Sequence, residues 1–207
     1  MTDTIDDPTV EGRRERKKRE TREALATTAL ELFADKGFEE TTVEEICDIV
    51  DVSTRTFNRY FPQKSDVLFV DQDSRLAKLA AALGRRPSRE PLLEAIEEAC
   101  VEIVEDPAFE PQLLARSRVL DSSKNLEAEN LRIHDDWATV IGDFVSQRAD
   151  SGKFDDSEAR LVGMCAVAAM LSARRRWLEM DGQGRYSTQV RAMFALLRRG
   201  FEDVPRG

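Results

Sequence analysis

The stretch TTVEEICDIVDVSTRTFNRYFPQK, residues 41 to 64, decides the fold. Thr42 and Glu45 stand three positions apart at its start, the spacing of a capping box in which hydroxyl and carboxylate each satisfy an orphan amide of a helix start. The helix this predicts begins near Val43, with Val43, Ile46, Cys47 and Val50 along one side at i, i+3, i+4, i+7. Asp51 falls where the chain must turn, and aspartate is among the few side chains that tolerate the left-handed conformation. Val52 can plug the space between the helices, Ser53 can cap a second helix over Thr54 to Tyr60, and Pro62 stops it. Two helices joined by so short a turn are a helix-turn-helix.

On the second helix Phe57 and Phe61 lie one turn apart and point inward, which leaves Thr54, Arg55, Asn58 and Arg59 facing out. Arginine can donate two bonds to guanine and asparagine can pair with adenine, so these residues suit a helix that reads the major groove. Thr56, Tyr60 and Lys64 suit phosphate, where they would fix register without reading bases. With the cap residues Thr42 and Ser53, they complete the candidate DNA-binding set of the helix pair.

The run from Leu25 to Lys64 resembles the DNA-binding domain of the TetR family of bacterial transcriptional repressors. The family's first helix is apolar and ends in a Gly-aromatic pair, matched by Gly37 and Phe38, followed by a Thr cap, matched by Thr42. Its recognition helix leaves through aromatic-Phe-Pro-x-Lys, matched by Tyr60, Phe61, Pro62 and Lys64. Two positions depart from the family: Asp51 stands where Gly is usual in the turn, and Asn58 where Tyr or Phe is frequent. The first leaves the turn tolerable, and the second bears on the operator contacts. The competing reading is an ordinary bundle corner or a helix pair that contacts another protein.

Composition bounds the rest. In 207 residues there is room for one moderate domain or two small ones, and few aromatics and glycines beside many Ala, Leu, Glu and Arg predict an all-α chain. The net charge of -9 requires most acidic groups to lie away from DNA. The sign reverses in RRERKKRETR, residues 13 to 22, with seven basic residues against two acidic ones. This run is either a solvated first turn of the first helix or an arm along phosphates. The arm is favoured, with Arg13, Arg14, Arg16, Lys17, Lys18 and Arg19 as its candidate DNA contacts. Residues 1 to 12 read as a disordered acidic tail. Cys47, Cys100 and Cys165 are widely spaced in apolar helical patterns and read as small core residues. His134 is the only histidine, so neither a metal site nor a cofactor is expected. No leader and no run of eighteen apolar residues appear, so the expectation is a soluble, cytoplasmic protein.

Helical periodicity continues over Ser65 to Leu83, Glu90 to Glu105, Phe109 to Leu120, Asn125 to Ala149 (with Leu131, Trp137, Ile141, Phe144 and Val145 inside), Asp155 to Met180 and Tyr186 to Phe201. About nine helices result. They make a helix-turn-helix domain at 13–64 with its basic arm, then a helical ligand-binding and dimerisation domain at 65–207. The run LVGMCAVAAMLSA is apolar nearly all round, as a helix covered on two sides must be. The last two helices of two chains can form a four-helix interface, which the TetR resemblance also implies; the alternative is a monomer whose last helices finish its core. A two-fold dimer would address half-sites roughly 34 to 36 Å apart on a palindromic operator.

The resemblance also implies a pocket for a small hydrophobic effector in the C-terminal part. Its candidate lining is Phe109, Leu113, Leu114, Arg118, His134, Trp137, Phe144 and Met170; each also has a plain structural reading, Trp137 and Phe144 at i and i+7 as core and His134 as an exposed helix residue. Residues 113–148 resemble the ligand-binding part of those members that respond to acyl-coenzyme A or similar long-chain compounds, with Arg116 and Arg118 placed to meet an anionic head group. A helical enzyme is disfavoured: di-metal carboxylate proteins need Glu-x-x-His pairs, and no phosphate loop or nucleophile elbow occurs. A helical adaptor acting through its apolar last helices remains the alternative to a ligand-controlled repressor of double-stranded DNA.

Overall fold

In a computed structural model the described residues are 12–108, 110–148 and 154–200. Among them the chain forms nine α-helices and no strand: α1 (Arg13–Lys36), α2 (Val43–Val50), α3 (Thr54–Tyr60), α4 (Gln72–Gly84), α5 (Leu92–Val104), α6 (Glu110–Ser122), α7 (Glu127–Arg148), α8 (Asp156–Glu179) and α9 (Tyr186–Arg199). Short 3-10 turns occupy Lys64–Phe69 and Lys124–Leu126. The chain divides into two compact units between Val70 and Asp71. The predicted acidic tail before Gly12, Phe109, the predicted break at residues 149–153 and Phe201 lie outside the described residues.

The first unit is built on α1, which buries Leu25, Ala26, Ala29, Leu30 and Phe33. Against them pack Ile46 and Cys47 of α2, Phe57 of α3, and Phe61, Val67 and Leu68 beyond it. Gly37 ends α1 at φ 97°, a conformation glycine adopts without strain. The Thr42–Glu45 capping box is present: the Glu45 amide donates to Thr42 Oγ1 at 3.2 Å, and the Thr42 amide to Glu45 Oε2 at 2.8 Å. Asp51 is left-handed at φ 57°, and the Val52 amide closes back on the Cys47 carbonyl at 3.0 Å. Ser53 caps α3 by accepting from the Thr56 amide at 3.1 Å.

Lys64 takes a role its position in the sequence did not suggest. Its ammonium donates to the carbonyls of Phe38, at 2.5 Å, and Thr41, at 2.6 Å, and lies 4.3 Å from the centre of the Phe38 ring. Burial pushes this ammonium below the usual lysine range, against the pull of the nearby Glu39, Glu40 and Glu45 carboxylates. It ties the exit of α3 to the corner between α1 and α2, so its donors serve the fold rather than phosphate.

In the second unit α8 packs along α7 and α9 and touches α5 and α6. Small residues let it approach closely: Ala159, Gly163, Ala166, Ala169 and Ala173 are all buried. At Gly163 a Cβ would come within 2.2 Å of the Ala138 carbonyl oxygen, so α7 and α8 meet backbone to backbone there. Trp177 and Tyr186 stack at 5.4 Å, and the Tyr186 hydroxyl donates to the Met170 carbonyl at 2.9 Å. Glu97 of α5, buried and with its carboxyl pushed up by that burial, is paired with Arg198 and Arg191 of α9.

Several expectations change. The basic run is helical from Arg13 onward, because i, i+4 pairs such as Arg16–Glu20 and Arg19–Glu23 suit a helix, so no separate arm is formed. The helix expected over Ser65 to Leu83 breaks at Val70–Asp71 into a 3-10 turn and α4. The one expected from Asn125 starts at Glu127, after a 3-10 turn. Leu131, expected inside, is 68% exposed, since the inward side of α7 follows Ile133, Trp137, Ile141 and Val145. Cys165 is exposed and is no core residue: it lies on the α8 side opposite the small-residue seam, beside exposed Leu161 and Met164.

Two substitutions test these contacts. Gly163→Ala should cost about 3 kcal/mol in urea unfolding, whereas Gly142→Ala should change stability by less than about 1 kcal/mol, since a Cβ there finds its nearest atom at 3.4 Å. Lys64→Met keeps the stem but strands two carbonyls, and should speed amide exchange in α2 and α3 by about thirtyfold, equivalent to about 2 kcal/mol.

Candidate nucleic-acid interface

The local code of α3 sorts its side chains. Phe57 is fully buried, and a helix of this pitch then turns Thr54, Arg55, Asn58 and Arg59 outward, where all four are exposed. Thr56 and Tyr60 flank them and are half-buried. The Arg59 guanidinium lies 5.0 Å from the centre of the Tyr60 ring, a contact that holds the long side chain in place. The hydroxyls of Thr42 and Ser53 are engaged in the caps: Thr42 Oγ1 donates to Glu45 at 3.0 Å, and Ser53 and Thr56 share a hydrogen bond at 3.0 Å.

Across a groove of about 650 Å³, α3 faces one stripe of α1. Arg14, Lys17, Lys18 and Thr21, at i, i+3, i+4 and i+7, line one side with Glu15; Val52, Thr56, Arg59 and Tyr60 line the other. Four cations thus meet one carboxylate in a concavity beside the exposed face of α3. The remaining basic residues differ. Arg16 and Arg19 pair with Glu20 and Glu23 at 3.6 and 3.5 Å, solvated pairs that contribute little. Arg13 is exposed at the helix start, and Arg22 stands over the Phe61 ring at 5.5 Å, bracing α1 against the exit of α3. Thr21 and Arg22 were not singled out as site residues from the sequence, although the spacing 14, 17, 18, 21 within the basic run was a helical signal, and Val52, expected to plug the space between the helices, is half-buried and lines this groove.

The expected effector-lining residues of the second unit do not form one group. Leu113, Trp137 and Met170 are buried, and Leu114 packs on Gly182. His134 is half-buried, and burial, then the Arg174 charge, holds its imidazole below the usual histidine range. Arg118 does not turn inward. It is exposed and paired with Asp181, because two residues along a helix from buried Arg116 is about 200° of rotation. Phe144 lies about 10 Å farther along α7 from Trp137 and is covered by the Arg148 guanidinium, which donates to the Pro87 and Glu90 carbonyls. Phe109 lies outside the described residues. Among the described residues no group of His, Cys, Asp and Glu is arranged to hold a metal ion.

Comparison with known proteins agrees with this division. Residues 25–69 match the family described as "Bacterial regulatory proteins, tetR family", and residues 90–202 match "MftR C-terminal domain". The HTH-type transcriptional regulator TcmR of Streptomyces glaucescens is 32% identical over 177 residues, which cover 82% of this chain and 78% of TcmR. MftR of Mycobacterium tuberculosis, named for mycofactocin biosynthesis, is 29% identical over 169 residues, 81% of this chain and 85% of MftR. Among solved structures, the fatty acid degradation regulator FadR of Bacillus halodurans gives a TM-score of 0.66 at 15% identity, over 94% of this chain and 99% of its own. FadR of Thermus thermophilus, a TetR-family repressor in complex with lauroyl-CoA, gives 0.57 at 23% identity, over 90% and 100%. Likeness at that level of identity carries the fold, and the relatives in sequence carry the rest: the chain belongs to the TetR family of bacterial transcriptional regulators and is a DNA-binding regulator rather than an enzyme.

Proposed function

We propose that this regulator is a cytoplasmic repressor that binds a palindromic operator as a homodimer and is released when a small hydrophobic effector enters its second unit. The observation that carries the reading is the groove in which Arg14, Lys17 and Lys18 of α1 face Thr56, Arg59 and Tyr60 of α3. A sugar-phosphate strand laid in that groove would leave the exposed side of α3 against base edges, with Arg55 and Asn58 as readers. Arg13, Arg14, Lys17, Lys18 and Tyr60 would meet phosphate, and Arg59 stands between the two roles. No described helix is long and apolar enough to cross a membrane.

The dimer reading is supported by the side of α8 that its own unit leaves uncovered. Leu161 is 60% exposed, Met164 54%, and on α9 Leu196 is 37% exposed, a cost that a second copy would remove. For the effector, the lauroyl-CoA complex of a structural relative supports a long-chain acyl compound, an acyl-CoA or a fatty acid.

Binding to the chain's own upstream DNA, followed by gel shift across salt concentrations, tests the first part. Arg55→Ala should relax sequence preference, and Lys17→Ala should weaken all sequences alike and lower the salt slope by about 1. Unchanged preference in Arg55→Ala would remove Arg55 as a reader. Sedimentation tests the second part: the double substitution Leu161→Glu, Met164→Glu should yield a folded monomer. A dimer that survives it would place the interface elsewhere.

A further inference from the structure

Two polar side chains of the second unit stand where the helical pattern asks for apolar ones. On α4, Gln72 is 9% exposed and shares the buried side with Leu79 and Leu83, at i, i+7 and i+11. On α6, Arg116 is 7% exposed and lies about one turn from Leu113 on one side and Val119 on the other, both buried.

Asp71 joins the two. It holds the position before α4 where a carboxylate ordinarily accepts from the helix's own amides, yet its side chain makes no such cap. Both of its oxygens are turned to Arg116 Nη1 instead, at 2.7 and 2.9 Å. The guanidinium is thereby fixed and its charge answered, beside the residue that opens α4. What the pair leaves over is donors. Among the described residues neither Arg116 Nε nor Gln72 Nε2 has a hydrogen-bond partner, although both atoms are buried. Native interiors rarely leave such donors unmet, and these two come from different helices tied by one ion pair.

We propose that Arg116 Nε and Gln72 Nε2 form the polar end of the effector site and take a neutral carbonyl oxygen on an otherwise apolar compound: a ketone, an ester or a thioester rather than a free acid. This rests on the reading that the second unit holds a small hydrophobic effector, and it narrows that class. A carbonyl oxygen has two lone pairs, enough to accept from both donors. Because the Arg116 charge is already met by Asp71, a carboxylate brought to the same donors would stand beside a second carboxylate, which like charge disfavours. Leu79 and Leu83 along α4, with Leu113 and Val119 along α6, supply apolar surface next to the two donors for the body of the compound.

Isothermal titration of the full chain with 2-tridecanone, dodecanoate and lauroyl-CoA tests the site, together with urea unfolding of the free chain. The ketone should bind at least about tenfold more tightly than dodecanoate. Gln72→Leu should weaken both the ketone and lauroyl-CoA about tenfold without lowering the urea midpoint, since it replaces an unmet donor by an apolar group of similar size. Arg116→Lys, which keeps a cation for Asp71 but removes the Nε donor, should weaken the ketone by a similar factor. Dodecanoate binding as tightly as the ketone would overturn the proposal, as would a Gln72→Leu chain that loses stability, the mark of a donor already met by a structural partner. Lauroyl-CoA binding with the same affinity to the native chain and to both variants would overturn the site and leave the effector reading intact. Silence from all three probes would overturn both.

Discussion

The ammonium of Lys64 stands where three pieces of chain meet: the end of α1, the segment that caps α2, and the exit of α3. Helices as short as α2 and α3 are not stable alone, so their geometry is set by what their ends are fastened to. Capping by Thr42 and Ser53 fixes where each helix begins. Lys64 fixes where the pair ends, by giving the Phe38 and Thr41 carbonyls a charged donor and setting its ammonium over the Phe38 ring. The outward set of α3 can be aimed only because this inner fastening is rigid.

The parts of the first unit that were legible in the sequence depend on neighbours within a few residues. Thr42 with Glu45, Asp51 in the turn, Ser53 before Thr54, and Pro62 after Tyr60 each act through the local backbone, so their types and spacing define the boundaries. Lys64 was not legible, since the carbonyls it serves lie 23 and 26 residues earlier in the chain; a lysine after a recognition helix then reads as a phosphate contact. The basic run misled through composition, although its Arg-to-Glu spacing already favoured a helix. In the second unit the helices and several of their ends were legible, such as Gly84 closing α4 and Tyr186 opening α9, but not every break or side. Residues 63 to 83 contain neither Gly nor Pro, so no local signal marks the break at Val70 and Asp71. A helix as apolar as α8 does not disclose which side its own unit covers, hence Cys165. The inward turn of Arg116 and the outward turn of Arg118 follow from packing against α4 and α8–α9 residues that no local pattern names.

The charge balance of the chain makes sense only when resolved in space. A net charge of -9 would repel DNA as a whole, yet the groove between α1 and α3 gathers four cations around one carboxylate. Elsewhere arginines are answered locally: Glu97 and Glu98 meet Arg191 and Arg198, and Glu90 meets Arg86. The same residue type thus stands exposed on α3, where we propose that it reads bases, and ties α5 to α9. Burial and the count of facing carboxylates distinguish these roles.

The contact at Gly163 has a mechanical meaning as well as a steric one. Where side chains interlock, two helices can slip by a notch or roll as rotamers change. At this crossing the Ala138 carbonyl rests on the bare backbone of α8, with no side chain between to rearrange. Rolling α8 would swing Met164 or its other bulky neighbours into that carbonyl, and sliding it would bring Ala159 or Ala166 there instead. What stays open is a scissoring about the point of contact. Any shift that passes along α7 and α8 is therefore a change of angle, small at the pivot and growing with distance toward the ends of both helices.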